Sequence, residues 1–198
     1  MRLWKRHPWS KTENIPRGPS SPKSSHLDDR YCMSDQRMNG LSEEFERVGR
    51  SGEDFVLIFL DLDEFQQLNG AHGRRKGDAA LVLVARTLLS NTRQKDMAAH
   101  YRDDEFIVLM PGAALVEARR FFEKVRAEVM ERSRSKLGFE VRMSAGAVKC
   151  LNGPGDLQVC LETAYDAMYV AKRQGKDRLF VTVDVGSAEV ERNVRLEA

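Results

Sequence analysis

The most regular hydrophobic pattern in this chain is an uninterrupted apolar run from Phe55 to Leu60, which ends at Asp61. An apolar run of this length, without polar alternation, is typical of a strand that is covered on both faces. Functional side chains often lie just beyond such strands, so Asp61 is a candidate site residue. The run is far shorter than the roughly 20 apolar residues that cross a membrane, and no apolar stretch in the chain approaches that length.

The rest of the hydrophobic pattern predicts a chain that mixes helices and strands. Apolar residues three or four positions apart predict helices at about Ser34–Val48, Lys76–Leu89, Leu115–Val129 and Asp156–Arg173. Alternating or short continuous apolar runs predict strands at Met97–Tyr101, Glu105–Met110, Phe139–Val148 and Leu179–Val183. The first two of these strands are expected to form a hairpin with Arg102, Asp103 and Asp104 at its tip.

The ends of the chain have a different composition. Residues 1–33 are rich in proline and serine and have no apolar period, which predicts a flexible N-terminal arm. Residues 34–183 are expected to form the folded domain, and 184–198 a polar tail. Trp4 and Trp9 leave two interpretations of the arm open: an unstructured leader, or a short peptide that docks on a partner protein through tryptophan anchors.

The composition of the chain indicates the cellular compartment in which it works. The formal net charge of +2 argues against a general attraction to nucleic acid, and the basic N-terminus has no apolar segment of the secretory kind. Cys32, Cys150 and Cys160 lack the spacing of metal ligands, which favours free thiols in a reducing compartment. A cytoplasmic protein is therefore expected.

Three motifs follow one another in the middle of the chain. The first extends from Asp61 through Asn69 to Asp78, the second is Asp104-Glu105-Phe106, and the third extends from Asp166 through Lys172 to Lys176. In this order, between about Phe55 and Val181, they resemble the GGDEF domains of diguanylate cyclases, enzymes that join two GTP molecules into cyclic di-GMP. The resemblance implies an α+β fold, with a central mixed, largely antiparallel sheet flanked by helices, like the palm-type nucleotide cyclases.

The resemblance also implies a role for each matching side chain. Asp61 and Asp104 correspond to ligands of a divalent metal, and Glu105 to the next acidic residue of the signature. Asn69 and Asp78 correspond to residues that hydrogen-bond guanine, and Lys172 and Lys176 to residues that contact phosphates. Mg²⁺ favours carboxylate oxygens together with substrate phosphate.

Two residues of the signature differ from the family pattern, because Arg102 and Asp103 stand where the family has paired glycines. Side-chain bulk and a carboxylate at this turn are expected to weaken triphosphate binding, and phosphoryl transfer depends mostly on positioning and charge neutralisation. On this basis the chain is expected to be a degenerate member and not an enzyme. Its GTP and metal residues would then be vestigial, with no cofactor required and Mg²⁺ bound only if GTP still binds.

A further motif, Arg93-Gln94-Lys95-Asp96, precedes the signature. Its Asp96 lies six residues before Arg102, which is the offset of the family's product-binding inhibitory site. Arginine can donate two hydrogen bonds to guanine O6 and N7, and a carboxylate can accept from guanine N1–H. The alternative is an Arg–Asp pair that only closes a loop. Further candidate ligand contacts, including the second surface of a ligand-bridged dimer, are His100, Arg119, Arg120, Lys124 and Arg126.

The sequence thus predicts an inactive GGDEF-domain receptor that binds cyclic di-GMP at Arg93 and Asp96 and signals through an unidentified protein partner, with the Trp4/Trp9 arm as the candidate contact. Three alternatives stay open: an active diguanylate cyclase, a GTP-binding regulatory module, and an interaction module without a ligand.

Overall fold

A computed structural model describes residues 43, 45–48, 50–151 and 157–183, and all structural statements concern these residues. They form one five-stranded sheet in the order β2-β3-β1-β4-β5. The strands are β1 (Phe55–Leu62), β2 (Met97–Arg102), β3 (Glu105–Pro111), β4 (Met143–Cys150) and β5 (Leu179–Val183). The helices are α1 (Phe65–His72), α2 (Arg74–Asn91), α3 (Leu115–Leu137) and α4 (Leu157–Arg173).

Neighbouring strands are antiparallel except β4 and β5, which are parallel. The sheet is therefore mixed and largely antiparallel, and it is flanked by helices, so the predicted fold class is confirmed. The register places Phe55 beside Pro111 at one end of the sheet and Asp61 beside Glu105 at the other. These two ends hold the two candidate sites.

Strand β1 lies in the middle of the sheet, and all eight of its residues are buried. Val56, Ile58 and Leu60 face the cluster formed with α2 and α3, whereas Phe55, Leu57 and Phe59 face the cluster that includes the apolar side of α4. Because side chains alternate between the two faces of a strand and both faces are covered here, every position except Asp61 is apolar.

Helix α4 sits directly on the backbone of β4 at Gly146. A Cβ at this position would lie 2.1 Å from the carbonyl oxygen of Ala164 and 2.2 Å from the amide nitrogen of Met168. Both are backbone atoms, so they could not give way without moving the whole helix. The absence of a side chain at Gly146 therefore sets the depth at which α4 packs against the sheet.

The structure corrects several predicted boundaries. Helix α1 was not predicted, because its eight residues are too few to show an apolar period, and none of them is buried. Helix α3 continues to Leu137 because Ser133, although polar, is buried and bonds the carbonyl of Met130 and the amide of Val141. Strand β4 begins at Met143 and not at Phe139, whose ring instead stacks on His72 at 4.3 Å.

The predicted N-terminal helix is tested only in part. The described residues between 43 and 51 are helical, and Phe45 and Val48 are buried beside Phe55. The predicted start of this helix, the arm with Trp4 and Trp9, Cys32 and the C-terminal tail lie outside the described residues.

Replacing Gly146 should destabilise the fold. We expect Gly146→Ala to lower the free energy of unfolding by about 2–3 kcal/mol or more, because the new methyl group overlaps the backbone of α4. Gly70→Ala is the matched control, since nothing lies within 4 Å of a Cβ at Gly70. In helix α1 this control should be neutral or stabilising by up to about 1 kcal/mol. Urea unfolding measures both variants, and equal effects would contradict the close packing at Gly146.

Candidate functional site

Three carboxylates meet where β1 ends and β3 begins. The antiparallel register pairs Asp61 with Glu105, and the amide of Leu62 donates to the carbonyl of Asp104 at 3.2 Å. Asp61 and Glu105 are each only 8% exposed. We call Asp61, Asp104 and Glu105 the acidic edge. Asp61 and Glu105 thus lie on strands that are adjacent in space, although they are over 40 residues apart along the chain.

Lys172 connects helix α4 to the acidic edge. It lies in the last turn of α4, and its Nζ donates to Asp61 Oδ1 at 2.5 Å. The partners are 111 residues apart in sequence, so only the packing of α4 on β4 brings them together. A lysine near the helix C-terminus also interacts favourably with the helix dipole.

All three carboxyl groups of the acidic edge have raised pKa values. Burial raises the pKa of Asp61 to about 6, although the ammonium group of Lys172 opposes this effect. Burial is also the main reason that the pKa values of Asp104 and Glu105 are raised. The negative charge of Asp104 contributes further to raising the pKa values of Asp61 and Glu105. The buried position of these carboxyl groups therefore disfavours their charged form, and perturbed pKa values of this kind are common at functional sites.

The acidic edge fits Mg²⁺ only as part of a substrate complex. Among the described residues, no group of three His, Cys, Asp or Glu side chains could hold a metal ion. Mg²⁺ commonly takes one or two carboxylates and completes its coordination with waters and substrate phosphates. Asp61 and Asp104 supply that number of carboxylates.

The hairpin tip keeps a backbone conformation that favours glycine. Asp103 has a φ of 43°, in the left-handed region that Asp adopts more readily than most residues. Arg102 Nε donates to Glu105 Oε2 at 2.7 Å, and its guanidinium carbon lies 5.5 Å from the centre of the Tyr101 ring. The turn is therefore left-handed at Asp103 without a glycine, and the Arg102 side chain is held against Glu105 and Tyr101.

The loop after α4 is tied to the loop after β1. Asp63 accepts hydrogen bonds from Ser144 Oγ at 2.7 Å and from the backbone amide of Asp177 at 2.9 Å. Lys176 Nζ donates to Glu64 Oε1 at 2.5 Å. Lys176 is thus placed at the same end of the sheet as Lys172, as a shared phosphate-binding role requires.

The two predicted guanine-contact residues lie on the neighbouring helices α1 and α2. Asn69 Oδ1 is buried and is the one buried side-chain oxygen or nitrogen without a hydrogen-bond partner among the described residues. It lies so close to Gly77 that a Cβ there would be 1.9 Å away. An unsatisfied buried acceptor costs free energy, and a donor from a ligand would remove that cost. Asp78 is exposed one residue beyond Gly77.

The second candidate site lies at the other end of the sheet, in the turn between α2 and β2. Arg93 donates from its Nε and Nη2 and from its backbone amide to the carboxylate of Asp96. Arg93 Nη1 also lies 3.3 Å from Glu117 on α3. The hydrogen bond to Asp96 is the main cause that raises the pKa of Arg93.

Arg93 and Asp96 differ in burial, and this difference determines which of them a ligand can reach. The side chain of Asp96 is 0% exposed, whereas that of Arg93 is 38% exposed. The predicted contact between Asp96 and guanine N1–H would require this carboxylate to leave a buried position in which both of its oxygens already accept hydrogen bonds. In this geometry Asp96 orients the guanidinium, and Arg93 is the group that a ligand can reach.

The remaining predicted ligand contacts divide between the two ends of the domain. Arg119, Arg120 and Lys124 are exposed on α3, the helix that carries Glu117. Arg126 instead bonds Glu123 and Asp177, so it belongs to the loop after α4. His100 Nε2 lies 2.7 Å from the carbonyl oxygen of Asp103 and its ring stacks on Phe106, so it lies toward the hairpin tip and not beside Arg93.

Comparison with known proteins identifies the family. Residues 25–178 match the family model described as "Diguanylate cyclase, GGDEF domain". The chain belongs to the GGDEF domain family. It is 33% identical over 157 residues to the diguanylate cyclase DgcP of Pseudomonas aeruginosa, covering 78% of this chain and 23% of DgcP. The chain thus spans about a quarter of this curated relative.

Two solved structures show the same fold. The diguanylate cyclase SiaD of Pseudomonas aeruginosa, in complex with its activator SiaC, matches with a TM-score of 0.66 and 32% identity, over 74% of this chain and 57% of that one. The GGDEF domain of DgcB from Caulobacter crescentus, in complex with c-di-GMP, matches with a TM-score of 0.68 and 24% identity, over 82% of this chain and 98% of that one. The likeness to DgcB concerns the fold.

These relatives correct one prediction. The chain was expected not to be an enzyme, but DgcP and SiaD, both over 30% identical to it, are named as diguanylate cyclases. That expectation was wrong because it rested on the side chains of Arg102 and Asp103 alone. Asp103 nevertheless adopts the left-handed conformation, and Asp61 and Glu105 are paired beside it. Within the part of the chain that the structure describes, no helix has the length and apolar character needed to cross a membrane.

The charge on Asp61 should lower stability at neutral and alkaline pH. A carboxyl whose pKa is raised from 3.8 to about 6 binds its proton more tightly in the folded state, so stability falls as pH rises from about 4 to about 6. We expect Asp61→Asn to raise the free energy of unfolding at pH 8 by about 1–2 kcal/mol and to flatten this pH dependence. Thermal or urea unfolding between pH 4 and pH 8 measures the effect.

Asp63→Asn is the control for this experiment. Asp63 accepts two hydrogen bonds within the fold, and an amide can preserve only part of this arrangement. Its replacement should therefore lower stability by about 1 kcal/mol, and not raise it, at pH 8. An unchanged pH dependence in Asp61→Asn would show that Asp61 is not the buried charge responsible.

Proposed function

We propose that this GGDEF domain forms cyclic di-GMP from two molecules of GTP at the acidic edge, and that it binds cyclic di-GMP at Arg93. The observation that supports the first part best is the convergence of Asp61, Asp104 and Glu105, all with raised pKa values, beside Lys172 at the end of the central strand. The cyclase names of DgcP and SiaD support the same reaction.

In this proposal the acidic edge binds the triphosphate together with Mg²⁺. Asp61 and Asp104 would hold the ion, which supplies charge neutralisation for the phosphates of GTP. Lys172, now paired with Asp61, and Lys176, now paired with Glu64, then become available to contact phosphate oxygens. These two ion pairs therefore keep the lysines at the site before the substrate arrives.

Guanine would be recognised between helices α1 and α2. The buried oxygen of Asn69 lacks a donor, and the N1–H and amino groups of guanine are donors of the kind it needs. Asp78 would accept from the same edge of the base. Gly77 keeps the space beside Asn69 open, because any side chain there would overlap the amide.

Binding of cyclic di-GMP is assigned to the turn that holds Arg93. Its guanidinium donates from Nε and Nη2 to the carboxylate of Asp96 and is still partly exposed, so little side-chain freedom would be lost on binding. Arginine is suited to guanine because it can bond O6 and N7 together. Arg119, Arg120 and Lys124 are proposed as the second surface of a ligand-bridged pair of domains.

A protein partner is a further part of the proposal. The predicted Trp4/Trp9 segment remains its candidate contact, and the complex of SiaD with an activator supports the idea that such domains are controlled by partners. Binding of nucleic acid is not proposed, because the net charge is only +2.

Turnover of GTP tests the first part of the proposal. With GTP and Mg²⁺, we expect the purified chain to produce cyclic di-GMP, detected by liquid chromatography, and Asp104→Asn to reduce the rate at least about 100-fold because a charge facing the phosphates is lost. Glu131→Gln, an exposed carboxylate on α3, should leave the rate unchanged. Asp103→Gly should raise the rate, because the Asp103 carboxylate adds negative charge beside Asp104 and Glu105. No product from the parent chain or from Asp103→Gly would rule out the cyclase proposal.

Calorimetric titration with cyclic di-GMP tests the second part. We expect Arg93→Ala to weaken binding at least about 10-fold, since a charge-assisted bidentate contact is lost. Asp96→Asn should also weaken binding, because the guanidinium is no longer fixed. The control is Arg126→Ala, which removes an arginine that bonds Glu123 and Asp177 and should keep the parent affinity. Equal affinity in Arg93→Ala and the parent chain would reject the assignment.

A further inference from the structure

Two cysteines that are ten residues apart meet on the α4 side of the sheet. Cys150 is the last residue of β4, Cys160 lies in the first described turn of α4, and their sulfur atoms are 2.8 Å apart. Neither is in a disulfide in this structure, and they are 2% and 0% exposed. Sequence spacing did not suggest this pair, because neither a metal motif nor an even cysteine count is present.

The surroundings of the pair are apolar and close to the protein surface. Phe45, Val48 and Phe55 belong to the same buried cluster as the two cysteines. The residues next to them in sequence, Leu151 and Val159, are 45% and 46% exposed. The thiols therefore lie next to surface residues, and Cys160 is about 18 Å along α4 from Lys172.

We propose that Cys150 and Cys160 are a reversible oxidation site that forms an intramolecular disulfide. The oxidant is a low-molecular-weight disulfide of the glutathione class. One cysteine thiolate attacks this disulfide and forms a mixed disulfide, releasing one small thiol. The second cysteine thiolate then attacks the cysteine sulfur of the mixed disulfide, forming the Cys150–Cys160 bond and releasing the second small thiol. The two cysteine sulfurs are oxidised, the small disulfide is reduced, and its two products take up the two cysteine protons.

Proximity is the reason that the second step should outrun competing reactions. The attacking thiol is already in contact with the sulfur at which the mixed disulfide forms, so closure is intramolecular and needs no large movement of the chain. The oxidant would enter through local opening at the start of α4, where Leu151 and Val159 are partly exposed. The bond would join β4 to α4 at the end of the helix opposite Lys172, so it would fix that end of the helix on the sheet without touching the acidic edge.

Mass spectrometry of the full chain tests the proposal. The folded protein is incubated with glutathione disulfide, alkylated, digested without reductant and mapped. We expect the peptides of Cys150 and Cys160 to be joined, with the mass of two hydrogen atoms lost, no glutathione retained on either, and full reversal by dithiothreitol. Cys32 should carry glutathione or remain free. The variant Cys32→Ser, which removes the third thiol, should give the same joined peptides.

Two variants and one unfolded control determine the outcome. Cys160→Ser and Cys150→Ala should each lose the bond and leave the remaining cysteine with at most a glutathione adduct. The same chain in urea should lose the preference for the Cys150–Cys160 bond and also form bonds to Cys32. The proposal is overturned if both thiols stay reduced in the folded chain under conditions that oxidise them in urea, if each keeps its own glutathione, or if either pairs with Cys32.

Discussion

The contact between helix α4 and Gly146 determines how the end of α4 meets the acidic edge. Because the glycine has no side chain, the backbone of α4 at Ala164 and Met168 approaches β4 to within a distance that any Cβ would prevent. The position of the helix then places Lys172 beside Asp61, at the end of the central strand. A helix held further from the sheet would leave Asp61 without its principal cation, although each element would still be formed.

The acidic edge lowers the stability of the fold, because it concentrates carboxyl groups in a buried position. Asp61, Asp104 and Glu105 are crowded at the end of an otherwise apolar sheet, and burial raises the pKa of each of them. Lys172 and Arg102 offset part of this cost through ion pairs with Asp61 and Glu105. Such an arrangement is expected where a site must bind a cationic or metal-bound ligand, since the ligand supplies the charge that the fold lacks.

The two candidate sites lie at opposite ends of the same sheet, and they differ in how they are built. The Arg93–Asp96 turn is a local structure, in which partners three residues apart close a loop and need only one additional contact, to Glu117. The acidic edge is assembled from β1, the β2–β3 hairpin and the end of α4. A local turn of this kind is recognisable in a sequence, whereas the arrangement of the acidic edge exists only in the folded chain.

The sequence by itself determined the buried central strand, the hairpin, most of the helices and the identity of the residues at the acidic edge, because hydrophobic periodicity and short motifs act over neighbouring positions. It did not determine helix α1, which buries none of its residues, or the extension of α3, which depends on the buried polar Ser133. It also could not assign partners to individual side chains. That Asp96 is buried beneath Arg93, that Arg126 bonds Asp177, and that Cys150 touches Cys160 were decided by the tertiary structure. The physical reason is that periodicity reports which face of an element is buried, whereas the depth and direction of packing depend on contacts between elements distant in sequence.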